Sequence, residues 1–468
     1  IRSATETTPE TIISYIRDAD GRIISTRKDV GALTTVESTQ YDDLGRVVST
    51  TDILGRVTST QYNEDLLTTT VTTPSGATLI TKTYYDGTTI LQTGTGQREM
   101  ETQLELTQEG ILTTTLSQGV VLSQTLQNGF GQTIRQEQPN TLEGFIVTSN
   151  TYNSKGQRIR TQTEEMAPTL TEYNELGQTV KQTVLLDQLH PGDPAKNRIS
   201  ESSSCYQIRK DGIYQVQTSI TYNAEGLPLT QTTETMVSQL DPVLESKTIA
   251  TDVYSQQSVQ WTEYTAPTKR TRFSRIPTSD IVAESLVVDG FTVSQSDHSG
   301  IHSSRQLSFT SEGMIQQQAD ARGNVTTIET DLAERTIRTT DAQGNITSTA
   351  YSPCCDAPSC ITDALGGTTC YSYDIRGRKT AEFGTAIQPA CFAYDENDHM
   401  IALTTFRADQ GDITTDPSHR TDGDTTTWLY DTATGLELKK TYSDGSCVSR
   451  TYDRLNRLET LTKARGII

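Results

Sequence analysis

The chain is poor in apolar side chains: only 33% of its 468 residues are hydrophobic and 6% are aromatic. A typical globular domain has roughly 45–50% apolar residues by a similar count, so a thick hydrophobic core is excluded. The sequence also has no run of eighteen apolar residues and no signal-like start, and it predicts no membrane-spanning segment. Because no Met precedes Ile1, we expect the natural N-terminus, with any export signal, to lie upstream.

Basic residues are also scarce, with 39 Lys and Arg against 59 Asp and Glu and a formal net charge of -20. Phosphate binding depends on clustered Lys and Arg, so this balance argues against a nucleic-acid partner. The densest basic group is Lys269, Arg270, Arg272 and Arg275. Its spacing favours a solvated strand face.

Residues that could carry out catalysis are few. There are five histidines and no Gly-x-Ser-x-Gly nucleophile elbow. His298 and His302 have the spacing of a helical zinc pair, but no Glu follows them and Gly300 lies between them in a strand-rich context. The sequence therefore predicts a protein that is not an enzyme, with no catalytic residue and no cofactor.

What the chain does contain is a recurring mark of tyrosine, aspartate or asparagine, and glycine, as in Tyr41-Asp42-Asp43-Leu44-Gly45-Arg46. The repeat tyrosines are Tyr41, Tyr62, Tyr152, Tyr173, Tyr351, Tyr373, Tyr394 and Tyr452, and neighbouring members are 21 or 22 residues apart. A second mark without the tyrosine lies between them, as in Asp341-Ala342-Gln343-Gly344-Asn345. A fixed period of this length indicates a repeat architecture.

Each mark predicts a tight turn between two strands. An Asp or Asn such as Asp42 can bond the backbone two residues further on, and the following glycine accepts positive φ without a Cβ clash. The predicted turn glycines are Gly45, Gly55, Gly156, Gly177, Gly323, Gly344, Gly366 and Gly377. The segments between the marks are rich in Thr, Val, Ile and Tyr, which suit strands.

These observations predict an all-β fold. A unit of two strands every 21–22 residues gives on the order of forty strands, too many for an ordinary open sheet, so the sheet must coil, close or stack. Both faces of the strands are mainly Thr, Ser and Gln. We therefore expect a single-layer sheet that spirals into a solenoid or hollow shell, held by ladder hydrogen bonds and cross-strand pairs.

The Tyr-Asp-x-x-Gly-Arg mark at this spacing resembles the YD repeat of the RHS family of bacterial proteins, a repeat that also occurs in animal teneurins. Good matches cover about residues 18–90, 128–180 and 309–395. The resemblance implies a large secreted or surface protein whose sheet spirals into a hollow shell, often around a variable C-terminal toxin.

The sequence departs from the toxin-enclosing members of that family. Their shells are closed by an Arg-rich stretch followed by Asp-Pro-x-Gly-Leu, whereas Asp241-Pro242 and Asp416-Pro417 lack the following glycine. We therefore expect the plug, the protease and any toxin to be missing, and the chain to be a fragment.

Five of the seven cysteines cluster in one region: Cys354, Cys355, Cys360, Cys370 and Cys391. Cys370 and Cys391 each precede a repeat tyrosine by three residues, so they hold equivalent sites and would be stacked neighbours if the repeats are in register. The cluster could form disulfides, bind a structural zinc or remain as free thiols. Each of these would be a structural staple.

Two stretches interrupt the rhythm and divide the chain. Residues 185–205 read as a long loop. Residues 408–427 form an acidic insert, for which we expect a solvated excursion, with a calcium site as the alternative. The predicted organisation is a YD-repeat segment at 1–184, irregular repeats with a long loop at 185–305, and a YD-repeat segment with the cysteine cluster and the insert at 306–468, all within one continuous repeat domain.

The leading functional hypothesis is a scaffold of a bacterial secreted or cell-surface protein that encloses or displays a polypeptide, such as its own C-terminal or a neighbouring cargo. The alternative is an extracellular adhesion module in which exposed rings bind a cell-surface glycan. The rings considered for that role are Tyr84, Tyr85, Trp261 and Trp428.

Overall fold

The structure, a computed structural model, describes residues 2–8, 11–240, 242–265, 268–276, 281–288, 291–297, 302–353, 355–407 and 412–464. These contain 39 β-strands in one sheet and one short 3-10 helix, Pro417–His419. No helix in the described ranges has the length and apolar character needed to cross a membrane. The prediction of an all-β fold is confirmed.

The first nineteen strands are β1 (Arg2–Thr8), β2 (Thr11–Arg17), β3 (Ile23–Val30), β4 (Leu33–Tyr41), β5 (Val47–Thr51), β6 (Val57–Asn63), β7 (Thr68–Thr72), β8 (Thr78–Thr83), β9 (Thr89–Thr93), β10 (Met100–Leu106), β11 (Ile111–Ser117), β12 (Val120–Gln127), β13 (Thr133–Asn140), β14 (Gly144–Tyr152), β15 (Arg158–Thr163), β16 (Thr169–Tyr173), β17 (Thr179–Val184), β18 (Arg198–Ile208) and β19 (Gly212–Tyr222).

The remaining twenty strands are β20 (Pro228–Gln239), β21 (Leu244–Thr251), β22 (Gln257–Thr265), β23 (Thr268–Ile276), β24 (Ile281–Val288), β25 (Phe291–Asp297), β26 (His302–Thr310), β27 (Gly313–Ala319), β28 (Val325–Thr330), β29 (Thr336–Thr340), β30 (Ile346–Tyr351), β31 (Pro358–Thr362), β32 (Thr368–Tyr373), β33 (Lys379–Phe383), β34 (Ala390–Tyr394), β35 (Met400–Thr405), β36 (Asp424–Tyr430), β37 (Glu437–Thr441), β38 (Cys447–Tyr452) and β39 (Leu458–Thr462).

Every strand pairs antiparallel with the strands before and after it in sequence, so the sheet is one continuous meander. Turns that follow odd-numbered strands therefore lie along one edge, the odd rim, and turns that follow even-numbered strands lie along the other, the even rim. In the described residues, β1 and β39 are not paired with each other, so the ladder does not close.

The meander coils back on itself. Turns on the odd rim of β3–β14 contact turns on the even rim of β26–β39, through hydrogen bonds between residues 278 to 317 apart in sequence. One circuit therefore takes about 24 strands. At about 4.8 Å between strands it measures about 115 Å around, or about 37 Å across if it is circular. The described sheet makes about one and a half circuits.

Little of this wall is buried. The accessible surface is 28138 Å², whereas a compact monomer of 51.5 kDa exposes about 17,000 Å². Among the residues whose burial is described, the buried apolar ones are few and spread along the chain, without one central core. A sheet with both faces largely accessible accounts for the excess surface.

The long loop is shorter than the sequence predicts. The prediction of a loop over residues 185–205 is wrong in its second half, because Arg198–Ile208 forms strand β18 and pairs with both β17 and β19. Buried Asn197 closes the loop, since its side chain accepts a hydrogen bond from the Asp187 amide (2.9 Å) and donates one to the His190 carbonyl (2.7 Å).

The acidic insert is exposed over most of its described part, residues 412–424, and its 3-10 helix is held against the sheet. Asp416 accepts a hydrogen bond from the Ser418 amide (2.9 Å) at the start of the 3-10 helix, and Pro417 is buried together with Pro389 and Phe406. The 3-10 helix contacts β33 and β34, an attachment that the acidic composition of the insert does not predict. Its residues 408–411, with Asp409, lie outside the described residues.

Candidate functional site

The repeated turn is stabilised by its first residue. In the turn at Asp42, Oδ1 accepts hydrogen bonds from the amides of Leu44 (3.0 Å) and Arg46 (2.8 Å), and Gly45 has a φ of 81°. The Arg46 amide and guanidinium hold the pKa of the Asp42 carboxyl below its ordinary value. The other predicted turn glycines also have positive φ, between 77° and 85°: Gly55, Gly156, Gly177, Gly323, Gly344, Gly366 and Gly377.

The arginine that ends the turn connects one repeat to the next. Arg46 binds Asp42 within its own turn (2.8 Å), while its guanidinium lies over the ring of Tyr62 in the following repeat, 4.2 Å from the ring centre. Cation and ring attract one another in this arrangement. The same stacking joins Arg22 to Tyr41, Arg335 to Tyr351 and Arg378 to Tyr394.

Each repeat tyrosine also hydrogen-bonds the turn before it. The Tyr62 hydroxyl donates to the carbonyl oxygen of Val47, the residue that follows Arg46 (3.0 Å). The equivalent bonds run from Tyr41 to Ile23, Tyr152 to Thr133, Tyr173 to Arg158, Tyr351 to Thr336, Tyr373 to Pro358, Tyr394 to Lys379 and Tyr452 to Glu437, at 2.7–3.1 Å. We call this unit of Asp, Arg and the next tyrosine the turn latch.

The sequence pattern predicts the tyrosine, the aspartate and the glycine of the latch but gives the arginine no role. The signal was present, because Arg or Gln ends most of the marks. Where Gln replaces Arg, as at Gln157, its amide oxygen accepts a hydrogen bond from Asn153 (2.7 Å), which takes the place of the aspartate. The turn is therefore closed in the same way with or without charge.

The contact between circuits, which we call the seam, is polar. The Arg56 guanidinium on the odd rim of the first circuit binds Asp356 on the even rim of the second (2.8 Å), and Asp356 also binds Arg335 in a neighbouring turn (3.0 Å). The Arg56 guanidinium holds the pKa of the Asp356 carboxyl below its ordinary value.

Two further residues join backbone groups across the seam. The largely buried Arg376 donates to the carbonyl oxygens of Thr95 (3.3 Å) and Gln97 (3.2 Å) on the first circuit. Asn456 donates to the carbonyl of Pro139 (3.1 Å) and accepts from the amide of Thr141 (3.2 Å). Asn456 stands where other repeats have glycine and keeps the positive φ of 61°, so this departure from the motif supplies the side chain that crosses the seam.

Within the described residues of the cysteine cluster, a disulfide joins Cys360 on β31 to Cys370 on β32. Cys370 and Cys391 are not adjacent, because β33 lies between them and places Ala381 opposite Cys391. Each repeat has two strands, so equivalent positions are two strands, or about 9.6 Å, apart. Burial raises the pKa of the Cys391 thiol.

Two members of the predicted cluster remain, Cys354 and Cys355. Cys355 lies in the turn between β30 and β31, and Cys354 lies outside the described residues. Within the described ranges, no three His, Cys, Asp or Glu side chains are placed to hold a metal ion. His298 also lies outside those ranges.

The aromatic residues considered for glycan binding lie on strands that are far apart along the meander. Tyr84 and Tyr85 follow β8, Trp261 is on β22 and Trp428 is on β36, so fourteen strands separate each position from the next. A groove of about 350 Å³ in the middle of the chain is lined by Ser, Thr, Gln, Asn and one Val, with no titratable side chain.

The basic residues of β23 are neutralised where their side chains are described. Lys269 pairs with Glu245 (2.7 Å), and Arg272 pairs with Glu263 (3.0 Å) and Glu284 (2.7 Å). The side chains of Arg270 and Arg275 lie outside the described part of the structure.

Comparison with protein families finds one match, the model described as RHS Repeat, at residues 41–78. This match contains the turns at Asp42 and Asp52 and the latch from Arg46 to Tyr62. No curated protein matches the chain. The resemblance to the RHS repeat family is thereby confirmed.

Among solved structures, the chain is similar to a TcdB2-TccC3-Cdc42 crystal structure, at 13% identity and a TM-score of 0.49, over 97% of this chain and 25% of that one. It is also similar to a Tc holotoxin pore of Photorhabdus luminescens with a TccC3 mutation, at 11% identity and a TM-score of 0.45, over 97% of this chain and 26% of that one. The chain thus spans about a quarter of the length of these proteins.

Proposed function

We propose that this RHS-repeat chain is a non-enzymatic wall that encloses a polypeptide, as part of a bacterial secreted or cell-surface protein. The observation that carries the proposal is the seam: two overlapping circuits of one polar sheet are joined rim to rim, and the accessible surface remains far above that of a compact protein. A coil that was flattened into a sandwich would bury its inner faces.

The dimensions of the coil suit an unfolded or partly folded guest. A ring about 37 Å across, less about 5 Å of side chains on each side, leaves a passage of about 27 Å, against about 10–12 Å for a helix with its side chains. Both faces of the wall are mainly Thr, Ser and Gln, which offer hydrogen bonds and little apolar surface. Such a lining can surround a chain without driving its collapse onto the wall.

Two observations support the remaining parts of the proposal. The Cys360–Cys370 disulfide fits an oxidising compartment, as expected for an exported protein. The turn aspartates, such as Asp42 and Asp341, have lowered pKa values because they accept hydrogen bonds within their own turns. This supports a structural role for them rather than a catalytic one.

Enclosure can be tested with a guest fused after Ile468. An unfolded reporter segment with several protease sites should resist digestion in the fusion and be cut rapidly when it is added as a separate peptide. Opening the seam with Arg376→Ala should restore cleavage, whereas Arg322→Ala, in a matched turn away from the seam, should not. Equal cleavage of the fused and separate reporters would contradict enclosure, as would a low-resolution scattering envelope without a central channel.

A further inference from the structure

The hairpin formed by β31 and β32, which we call the seam hairpin, has a contact with the first circuit at each of its two ends. The turn before β31 contains Asp356, which accepts a hydrogen bond from Arg56 (2.8 Å). The turn after β32 contains Arg376, which donates to the carbonyl oxygens of Thr95 (3.3 Å) and Gln97 (3.2 Å). The relative position of these two turns therefore depends on how firmly β31 is held to β32.

The seam hairpin is joined by a disulfide that the repeat itself does not require. Cys360 and Cys370 form the pair farthest from the turn in a ladder of three residue pairs. The same place in other three-pair hairpins is taken by residues without a covalent bond: Ser49 and Ser59, Arg338 and Ser348, and Lys439 and Ser449. Those hairpins pair in the same way, so the disulfide is an addition to the repeat at this hairpin.

The disulfide and the turn latch hold the seam hairpin from opposite faces. The Tyr373 hydroxyl donates to the carbonyl oxygen of Pro358 (2.7 Å). Cys370 lies three residues before Tyr373 on the same strand, so its side chain is on the other face of the sheet. Without the disulfide, a ladder of three pairs and the latch remain between β31 and β32. The two seam turns are then less firmly fixed relative to each other.

We propose that the Cys360–Cys370 disulfide is a redox switch of the seam, and that its reduction loosens the contact between the two circuits. The wall is then tight in an oxidising compartment, where disulfides persist, and loosened in a reducing one. This property belongs to the wall and needs no guest. Only its use, the release of an enclosed polypeptide on reduction, rests on the proposed function.

The chemical step is thiol–disulfide exchange with a dithiol reductant. A thiolate of the reductant attacks one sulfur of the pair, and its second thiol then displaces that sulfur. The bond between Cys360 and Cys370 breaks and a disulfide forms within the reductant, so two electrons and two protons pass to the protein and leave two thiols. Both cysteines are half-buried, which leaves part of their surface open to a small dithiol.

The test is hydrogen exchange of the purified chain before and after reduction with dithiothreitol, with the mass of the peptides that contain Cys360 and Cys370 as the check on reduction. Amides in residues 94–99, which lie across the seam from Arg376, should exchange about tenfold faster in the reduced chain. Amides of β15, which is not part of the seam hairpin, should exchange at the same rate in both states.

Variants assign the response to this disulfide. The double variant Cys360→Ser, Cys370→Ser should exchange like the reduced wild-type chain and should not respond to dithiothreitol. The matched control is Cys391→Ser, because Cys391 is a half-buried free thiol on the same face of the sheet, two strands from Cys370. It should keep the full response to the reductant.

Three results would overturn the proposal. The first is equal exchange of residues 94–99 in the oxidised and reduced wild-type chains, a comparison that does not depend on whether any variant folds. The second is a response to dithiothreitol that the double variant retains, which would assign it to another group. The third is faster exchange of β15 as well, which would mean general unfolding. Because no guest takes part, loss of protection in the reporter assay would refute enclosure and leave this result unaffected.

Discussion

Arg376 offers the sharpest test of the seam. Its guanidinium, on the second circuit, donates hydrogen bonds to two carbonyl oxygens of the first circuit, those of Thr95 (3.3 Å) and Gln97 (3.2 Å). Among the described residues, it is the only group that bonds two carbonyls across the seam in this way. It also bonds the carbonyl of Glu396 in its own circuit (3.0 Å). Arg376→Ala removes these bonds and leaves carbonyl groups in the seam with fewer donors.

The expected loss follows from these contacts. Hydrogen bonds to a charged group contribute about 1.5–3 kcal/mol each, and the two bonds across the seam are long, so we expect a total loss of about 2–3 kcal/mol in the free energy of opening the seam. Arg322 is the matched control, since it has the same position in the Asp320 turn but is exposed on the odd rim, in the turn after β27. Arg322→Ala should change stability by less than about 0.5 kcal/mol.

Hydrogen exchange measures this locally. Amides in residues 94–99 should exchange faster in Arg376→Ala than in the wild-type chain, while the amides of the β32–β33 ladder should change little. If Arg376→Ala and Arg322→Ala exchange alike in residues 94–99, the rims do not contact each other in solution and the coiled arrangement is refuted.

Three further outcomes test the turn latch and the seam. Gly323→Val and Gly344→Val should each lower the free energy of unfolding by about 1–3 kcal/mol. The loss is backbone strain alone, because φ is 82° and 85° and no atom lies within 4 Å of an added Cβ. Unchanged melting temperatures in both variants would contradict the turn assignment. Tyr62→Phe removes the bond to the Val47 carbonyl and should lower the free energy of urea unfolding by about 0.5–1.5 kcal/mol. Tyr85→Phe, at an exposed site in the turn after β8, should leave it unchanged. The pKa of Asp356 is lowered by its bond with Arg56. The stabilisation of the seam by this pair is therefore complete above the ordinary carboxyl pKa of about 3.9 and is lost as pH falls through the lower folded value. Amide exchange near Arg56 should rise over that acidic range in the wild-type chain, and the same rise in Asp356→Asn would assign it to another group.

The sequence by itself determined the turns and the strands, because their causes are local. Asp42 bonds amides two and four residues away, and Gly45 needs only its own backbone freedom, so a mark of six residues contains the information for a turn. A strict 21- or 22-residue period of such turns then requires an antiparallel meander, whatever the rest of the protein does. The tyrosine latch lies at the limit of this local range, since Tyr62 bonds Val47 fifteen residues earlier.

Only the tertiary structure decided where the coil meets itself and which surfaces remain open. The number of strands in a circuit depends on small angles accumulated over about 24 strand pairs, and no single repeat encodes that sum. The pairing of Arg56 with Asp356, 300 residues apart, and the bridging role of Asn456 follow from it. Leu54 and Leu44 have the same place in the repeat. Leu54 is partly covered and Leu44 is exposed only because of where each lies relative to the neighbouring circuit.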